Sequence, residues 1–180
     1  MTVAGIAIDS SNHSPIVLLR DPSGRRQVPI WIDHEQAHNI VAGFKQSNRD
    51  KLLSHDLMIS LLKAGHLRLD RVIIHQIEMS SFQAILKLSY QGRENKKDED
   101  ESNNLIEVKA RPSDAIALAV RTKCSIWMFE QVVLEASIPV DEEADVKDQN
   151  EFKDFISGIS PADLIRHLED NDQINDTPFN

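Results

Sequence analysis

The chain has 180 residues, 41% of them hydrophobic and 27% charged, the balance of a folded globular domain rather than of a disordered or fibrous chain. Its longest strictly apolar run is six residues against the roughly 20 of a bilayer-spanning helix, and its one cysteine, Cys124, excludes internal disulfides and cysteine zinc clusters. The net charge of −9 lies wholly in residues 137–180, which hold 12 acidic and 3 basic residues, and the 17 acids and 17 bases that remain leave no basic stripe for broad nucleic-acid binding.

In chain order, residues 2–8 read as a short strand, with no basic segment leading an apolar core, so a cytoplasmic location is expected. Ile16–Leu19 and Val28–Ile32 flank the turn signal Asp21-Pro-Ser-Gly24 and read as a hairpin. Pro29 lacks an N–H for a ladder and places its strand at an edge or a bulge. From Asp33 the period changes: Ala37, Ile40, Val41 and Phe44 recur at helical spacing behind Asp33 as cap. After a polar loop at Ser47–Lys51, a second helix begins with Ser54 as cap and Asp56 in its first turn, and closes at Gly65.

Strands resume at Leu69, and Val72–Ile77 is apolar and β-branched. A turn at Met79–Ser81 leads to Phe82–Tyr90, the clearest alternation in the chain. The charged stretch Gly92–Asn104 reads as a mobile hairpin tip, and Leu105–Ala110 as the returning strand. Arg111–Arg121 reads as a buried helix, with Pro112 in the first turn and an apolar body from Ala115 to Val120. Arg111 is a poor N-cap, explicable if it pairs with Asp114 or if Ser113 is the true cap. A short strand, Ser125–Phe129, and a short helix, Glu130–Ala136, follow.

The expected organisation is therefore an α+β domain over residues 1–137, with one curved, mixed, largely antiparallel sheet packed by about three helices. An acidic linker follows over 138–150. A helical segment over 151–170 has an apolar stripe of Phe152, Phe155, Ile156 and Ile159 and must dock on the domain or on another copy. A disordered tail occupies 171–180.

Four constellations carry candidate chemistry. His34-Glu-Gln-Ala-His38 fits the zinc-protease pattern H-E-x-x-H, but no third ligand stands at a recognisable spacing, and two solvent-facing histidines are the better reading. Ser54-His55-Asp56 cannot form a triad within itself, because neighbours on a helix diverge; His55 is either a general base or a structural hydrogen-bonder. Arg111 and Asp114 open the buried helix. If these helix starts converge, Asp56, Asp114 and Glu35 could hold Mg²⁺ or Mn²⁺ while Arg111 grips a phosphate, the parts of a metal-assisted phosphodiester hydrolase. Ordinary capping carboxylates account for the same positions one by one. His75 reads as a strand histidine, Cys124 as an inert small apolar residue, and no aromatic stacking platform is visible.

Five segments resemble the bifunctional nuclease domain proteins of bacteria and plants: Pro15–Leu19, Val28-Pro-Ile-Trp-Ile32, Ser54-His-Asp-Leu57, Val72-Ile-Ile-His75 and, most specific, Arg111-Pro-Ser-Asp-Ala-Ile-Ala-Leu-Ala119. The resemblance spans roughly Val3 to Ile156. It implies a compact α+β fold, a homodimer, and nuclease activity on DNA and RNA, and it brings no established catalytic set. Three departures stand out. Gln36 replaces the usual Glu, with Glu35 one residue early; Lys51-Leu-Leu-Ser54 replaces Arg-Pro-Leu-Thr; and Lys123-Cys-Ser125 replaces Gly-Ala-Pro. The leading expectation is a broad-specificity nuclease using His55, Asp56, Arg111 and Asp114 with DNA or RNA as partner and no membrane role. The alternative is a non-catalytic regulatory or interaction scaffold of the same fold.

Overall fold

A computed structural model describes residues 1–45, 52–91 and 105–140. The loop Ser47–Lys51 with Gln46 before it, the tip Gly92–Asn104 and the 141–180 segment lie outside the described residues. Twelve elements are described, in the order β1 (Thr2–Ile8), β2 (Pro15–Arg20), β3 (Arg26–Trp31), α1 (His34–Phe44), α2 (Ser54–Ala64), β4 (Leu67–Glu78), β5 (Ser81–Tyr90), β6 (Leu105–Ala110), α3 (Pro112–Thr122), β7 (Ser125–Met128), α4 (Glu130–Ala136) and β8 (Ile138–Pro139). The class is α+β, as expected, but the strands form two four-stranded sheets rather than one, β1-β2-β3-β8 and β6-β5-β4-β7. Alternation along each strand shows which residues share a face, not which sheet the strand joins.

Every described ladder is antiparallel except β4–β7, which runs parallel because α3 carries the chain back across the sheet. The β4–β5 hairpin closes on Met79 and Ser80 alone, both at positive φ (47° and 62°), the two-residue geometry that matches strand twist. The ladder shifts register between Leu69 and Arg71 and between Ile74 and Gln76, skipping Asp70 and His75. Pro29 sits where β8 no longer covers β3, since β8 pairs only with Arg26 and Gln27. Ile138 and Pro139, read as the start of a linker, belong to a sheet.

α3 is the centre of the core. Ala115, Ile116, Ala117, Leu118 and Ala119 are all 3% exposed or less, as an apolar body predicts. Around them pack Val17, Leu19 and Val28 from one sheet, Val72, Ile74 and Leu86 from the other, and Ile40 of α1. α4 touches β3 of one sheet and β4 of the other, and the Met1 ammonium donates to the Ile126 carbonyl at 2.7 Å, tying β1 to β7. Among the described residues no helix is long and apolar enough to cross a membrane.

Candidate functional site around the ends of α3

The first turn of α1 begins the site. Asp33 Oδ1 accepts the Gln36 backbone N–H at 2.7 Å, and Gln36 Oε1 accepts the Asp33 N–H at 3.1 Å, a reciprocal capping box. A glutamate would make the same bond from the same position. Gln36, the departure from the family pattern, therefore keeps a structural function that glutamine and glutamate share.

The cap of α2 differs from expectation. Leu53 is the N-cap and Ser54 the first helical residue; Asp56, two positions on, accepts the Leu53 N–H at 3.0 Å. Burial opposes the charge on Asp56, but the Leu53 N–H and the Arg121 guanidinium outweigh it and hold this carboxyl below its ordinary value. Arg121, with a side chain only 6% exposed, gives its Nε–H to Asp56 Oδ1 at 2.9 Å and its Nη1 to the carbonyls of Asn39 at 2.7 Å and Ala117 at 3.0 Å. One guanidinium thereby fastens α1, α2 and α3. Gly43 is small for this reason: a Cβ there would stand 3.0 Å from Arg121 Nη1 and 3.0 Å from Val120 Cγ1.

At the other end of α3, Arg111 is the N-cap and Pro112 the first helical residue. Arg111 Nε donates to Asp114 Oδ2 at 2.7 Å and Nη2 to Asp114 Oδ1 at 3.3 Å, the forked pairing open to this side chain. The bonded and oppositely charged Asp114 holds the Arg111 guanidinium above its ordinary value, with Asp33 and Glu35 adding to the effect. Asp114 Oδ1 also lies 3.2 Å from His55 Nε2. A carboxylate only accepts, so Nε2 carries the ring proton. His55 is buried, and its Nδ1 is enclosed without a hydrogen-bond partner. Two helix starts thus converge, joined as His55–Asp114–Arg111.

Arg111 opens onto a cleft of about 210 Å³ lined also by Trp31, Gln36, Ser80, Ser81 and Phe82. Trp31 is 56% exposed, its indole N–H bound to Asp9 at 3.1 Å. Ser11, through its hydroxyl and backbone N–H, and then Trp31 bring the Asp9 carboxyl down to about 2. Sequence reading missed this exposed aromatic, because Trp31 sits in a strand and its neighbours across the cleft come from 49 residues and more away in the chain. Ser80, in the left-handed backbone of the β4–β5 turn, brings that turn into the cleft lining.

The remaining candidates are placed as follows. Asp56 and Asp114 join different arginines, and together with Glu35 they do not assemble into a metal cluster: among the described residues no three His, Cys, Asp or Glu side chains gather closely enough to hold an ion. Among the described residues, then, these three carboxylates do not by themselves make a Mg²⁺ or Mn²⁺ site. His34 and His38 are exposed on α1, and among the described residues no third His, Cys, Asp or Glu gathers with them to complete a zinc site. His75 is half-buried, edge-on to Phe129 with ring centres 6.4 Å apart. Burial raises the Cys124 thiol above its ordinary value, in keeping with an unreactive side chain.

Comparison with known proteins adds two results. A family model described as "Bifunctional nuclease domain" matches residues 17–141. Two Mycobacterium tuberculosis proteins, "Uncharacterized protein MT1877" of strain CDC 1551 / Oshkosh and "Uncharacterized protein Rv1829" of strain ATCC 25618 / H37Rv, are each 30% identical over 171 residues, covering 90% of this chain and 95% of theirs.

Proposed function

The chain belongs to the bifunctional nuclease domain family, and we propose on that premise that it cleaves DNA or RNA, with Arg111 taking the phosphate. The observation that supports this most is the exposure of Arg111, 68% for the side chain, at the lip of a cleft that also offers the open face of Trp31. A guanidinium has five N–H donors, and the fork to Asp114 uses two. Three are left for a phosphodiester, in a fixed orientation, beside an indole on which a base can stack.

In this reading the roles shift from those the sequence implied. His55 cannot reach a substrate, since Nε2 faces Asp114 and Nδ1 is enclosed. It is a positioning residue that orients Asp114, which in turn orients Arg111. Asp56 belongs to the fastening at the other end of the helix. No step is assigned to a metal, given the donor set. A homodimer and a cytoplasmic location, both expected from the sequence, remain parts of the proposal; light scattering of the purified protein tests the first.

The non-catalytic scaffold is favoured by one observation, that both candidate carboxylates are occupied by arginines. Cleavage assays separate the two readings. The purified full chain is incubated with single-stranded DNA and with RNA, in Mg²⁺, in Mn²⁺ and in chelator. Cleavage is expected, and Arg111→Ala should lower kcat/KM on the order of 100-fold, the loss of one charge-stabilising contact. Arg111→Lys should restore a part of it. Cleavage untouched by Arg111→Ala would remove Arg111 from the site, and a wild-type chain that binds but never cleaves would establish the scaffold reading.

A further inference from the structure

α2 is apolar on two sides. Ile59 and Leu62 turn to the core with the buried His55, while Leu57, Met58 and Leu61 turn outward, 59%, 43% and 62% exposed. These three lie at i, i+1 and i+4 and make one stripe along the outer face. A surface helix ordinarily keeps that face polar, so a stripe of two leucines and a methionine marks a face that something covers.

Area argues about the occupant. The three side chains present on the order of 300 Å², well short of the roughly 800 Å² per partner that a standard stable interface buries. A second copy seated on this stripe alone would hold weakly. A tethered segment needs far less area, because a short linker keeps it at a millimolar effective concentration.

The chain carries such a segment. Beyond β8, Phe152, Phe155, Ile156 and Ile159 recur at i, i+3, i+4 and i+7, the spacing of one helical face. Eleven residues separate Val140 from Phe152, a reach on the order of 40 Å, comparable with the width of a domain this size. The relatives share the segment: a match over 90% of 180 residues leaves about 18 unmatched, fewer than the 39 that follow residue 141. The match therefore runs to residue 162 or beyond, past all four apolar positions. Charge agrees as well. Glu151 and Asp154 flank Phe152 in the sequence, with Lys153 between them, and Lys63, Arg68 and Lys123 outnumber Asp70 in the lining of the groove of about 540 Å³ beside the end of α2.

We infer that the outer face of α2, at Leu57, Met58 and Leu61, is the docking surface for residues 152–159 of the same chain. The inference is independent of nuclease activity. It is tested in the full chain carrying Cys124→Ser. Leu57→Cys and Leu61→Cys are each combined with Phe152→Cys, Phe155→Cys or Ile159→Cys, and mild oxidation follows. At least one pair should close within a single chain, seen as a reductant-sensitive band of altered mobility at monomer mass. Cross-links only at dimer mass would seat a second copy on α2 and overturn the inference, as would no cross-link from any pair. A second readout uses a single substitution that leaves the described domain untouched. Phe155→Asp should speed amide exchange in residues 57–64 about tenfold, with α3 unchanged; identical exchange in α2 would overturn the inference as well.

Discussion

α3 carries an arginine–aspartate pair at each end, and the two pairs do different work. At the C-terminal end the Arg121 side chain is 6% exposed and spends its donors on Asp56, Asn39 and Ala117. At the N-terminal end Arg111 is 68% exposed and spends two donors on Asp114. The chemistry of the pairs is the same. Burial decides that one is a fastener of three helices, because a buried guanidinium must find all its partners within the protein. Exposure leaves the other with donors to offer.

The largest effect that would sharpen this contrast is in stability. Arg121→Ala strips a buried carbonyl pair and Asp56 of their donor and should cost roughly 3 kcal/mol, the low end for breaking a buried ion pair because Asp56 is partly solvated. Arg111→Ala removes an exposed pair and should cost no more than about 1 kcal/mol. Urea unfolding of both variants is the measurement, and equal losses would break the comparison.

A smaller effect lies in pH. The folded carboxyl of Asp56 is below its ordinary value of 3.8, so its pairing stabilises the fold above that value and the contribution fades as pH falls through the folded one. Stability measured between pH 5 and pH 3 should therefore fall less steeply in Asp56→Asn than in the wild type. Parallel slopes would mean that the C-terminal pair is not the fastener described.

The smallest effect concerns Gln36, which stands on the cleft wall near Arg111. Gln36→Glu preserves the capping box and should change stability by less than about 0.5 kcal/mol, whereas Gln36→Ala should cost about 0.5–1 kcal/mol. Thermal unfolding resolves the two if cleavage is followed in parallel. A gain in cleavage with Gln36→Glu at unchanged stability would show that the family's glutamate does chemistry as well as capping.

Much of this site was legible as residues and little of it as geometry. Arg111 stood out because it breaks the N-cap preference beside a helix too apolar to be exposed, and its partner Asp114 was within the same turn. His55 stood out for the capping residues on either side. Arg121 was read only as the last residue of a buried helix, since nothing local shows that the residue 65 positions earlier would meet it. Trp31 was read as a strand residue, and the cleft it shares with Arg111 has no local signal at all. The three carboxylates pictured as a metal cluster each sat correctly near a helix start. Asp114 pairs within its own turn with Arg111, and only Asp56 meets an arginine, Arg121, from a distant segment.

What the sequence determined by itself was the α+β class, the position of nearly every element, the burial of α3 and the family, all of which follow from periodicity, turn chemistry and short motifs within reach of one segment. The tertiary structure alone decided the split into two sheets, the pairing of His55 with Asp114, and which arginine on α3 is closed and which is open. Those depend on side chains brought together from distant segments, and on how much water each one keeps, which no local pattern encodes.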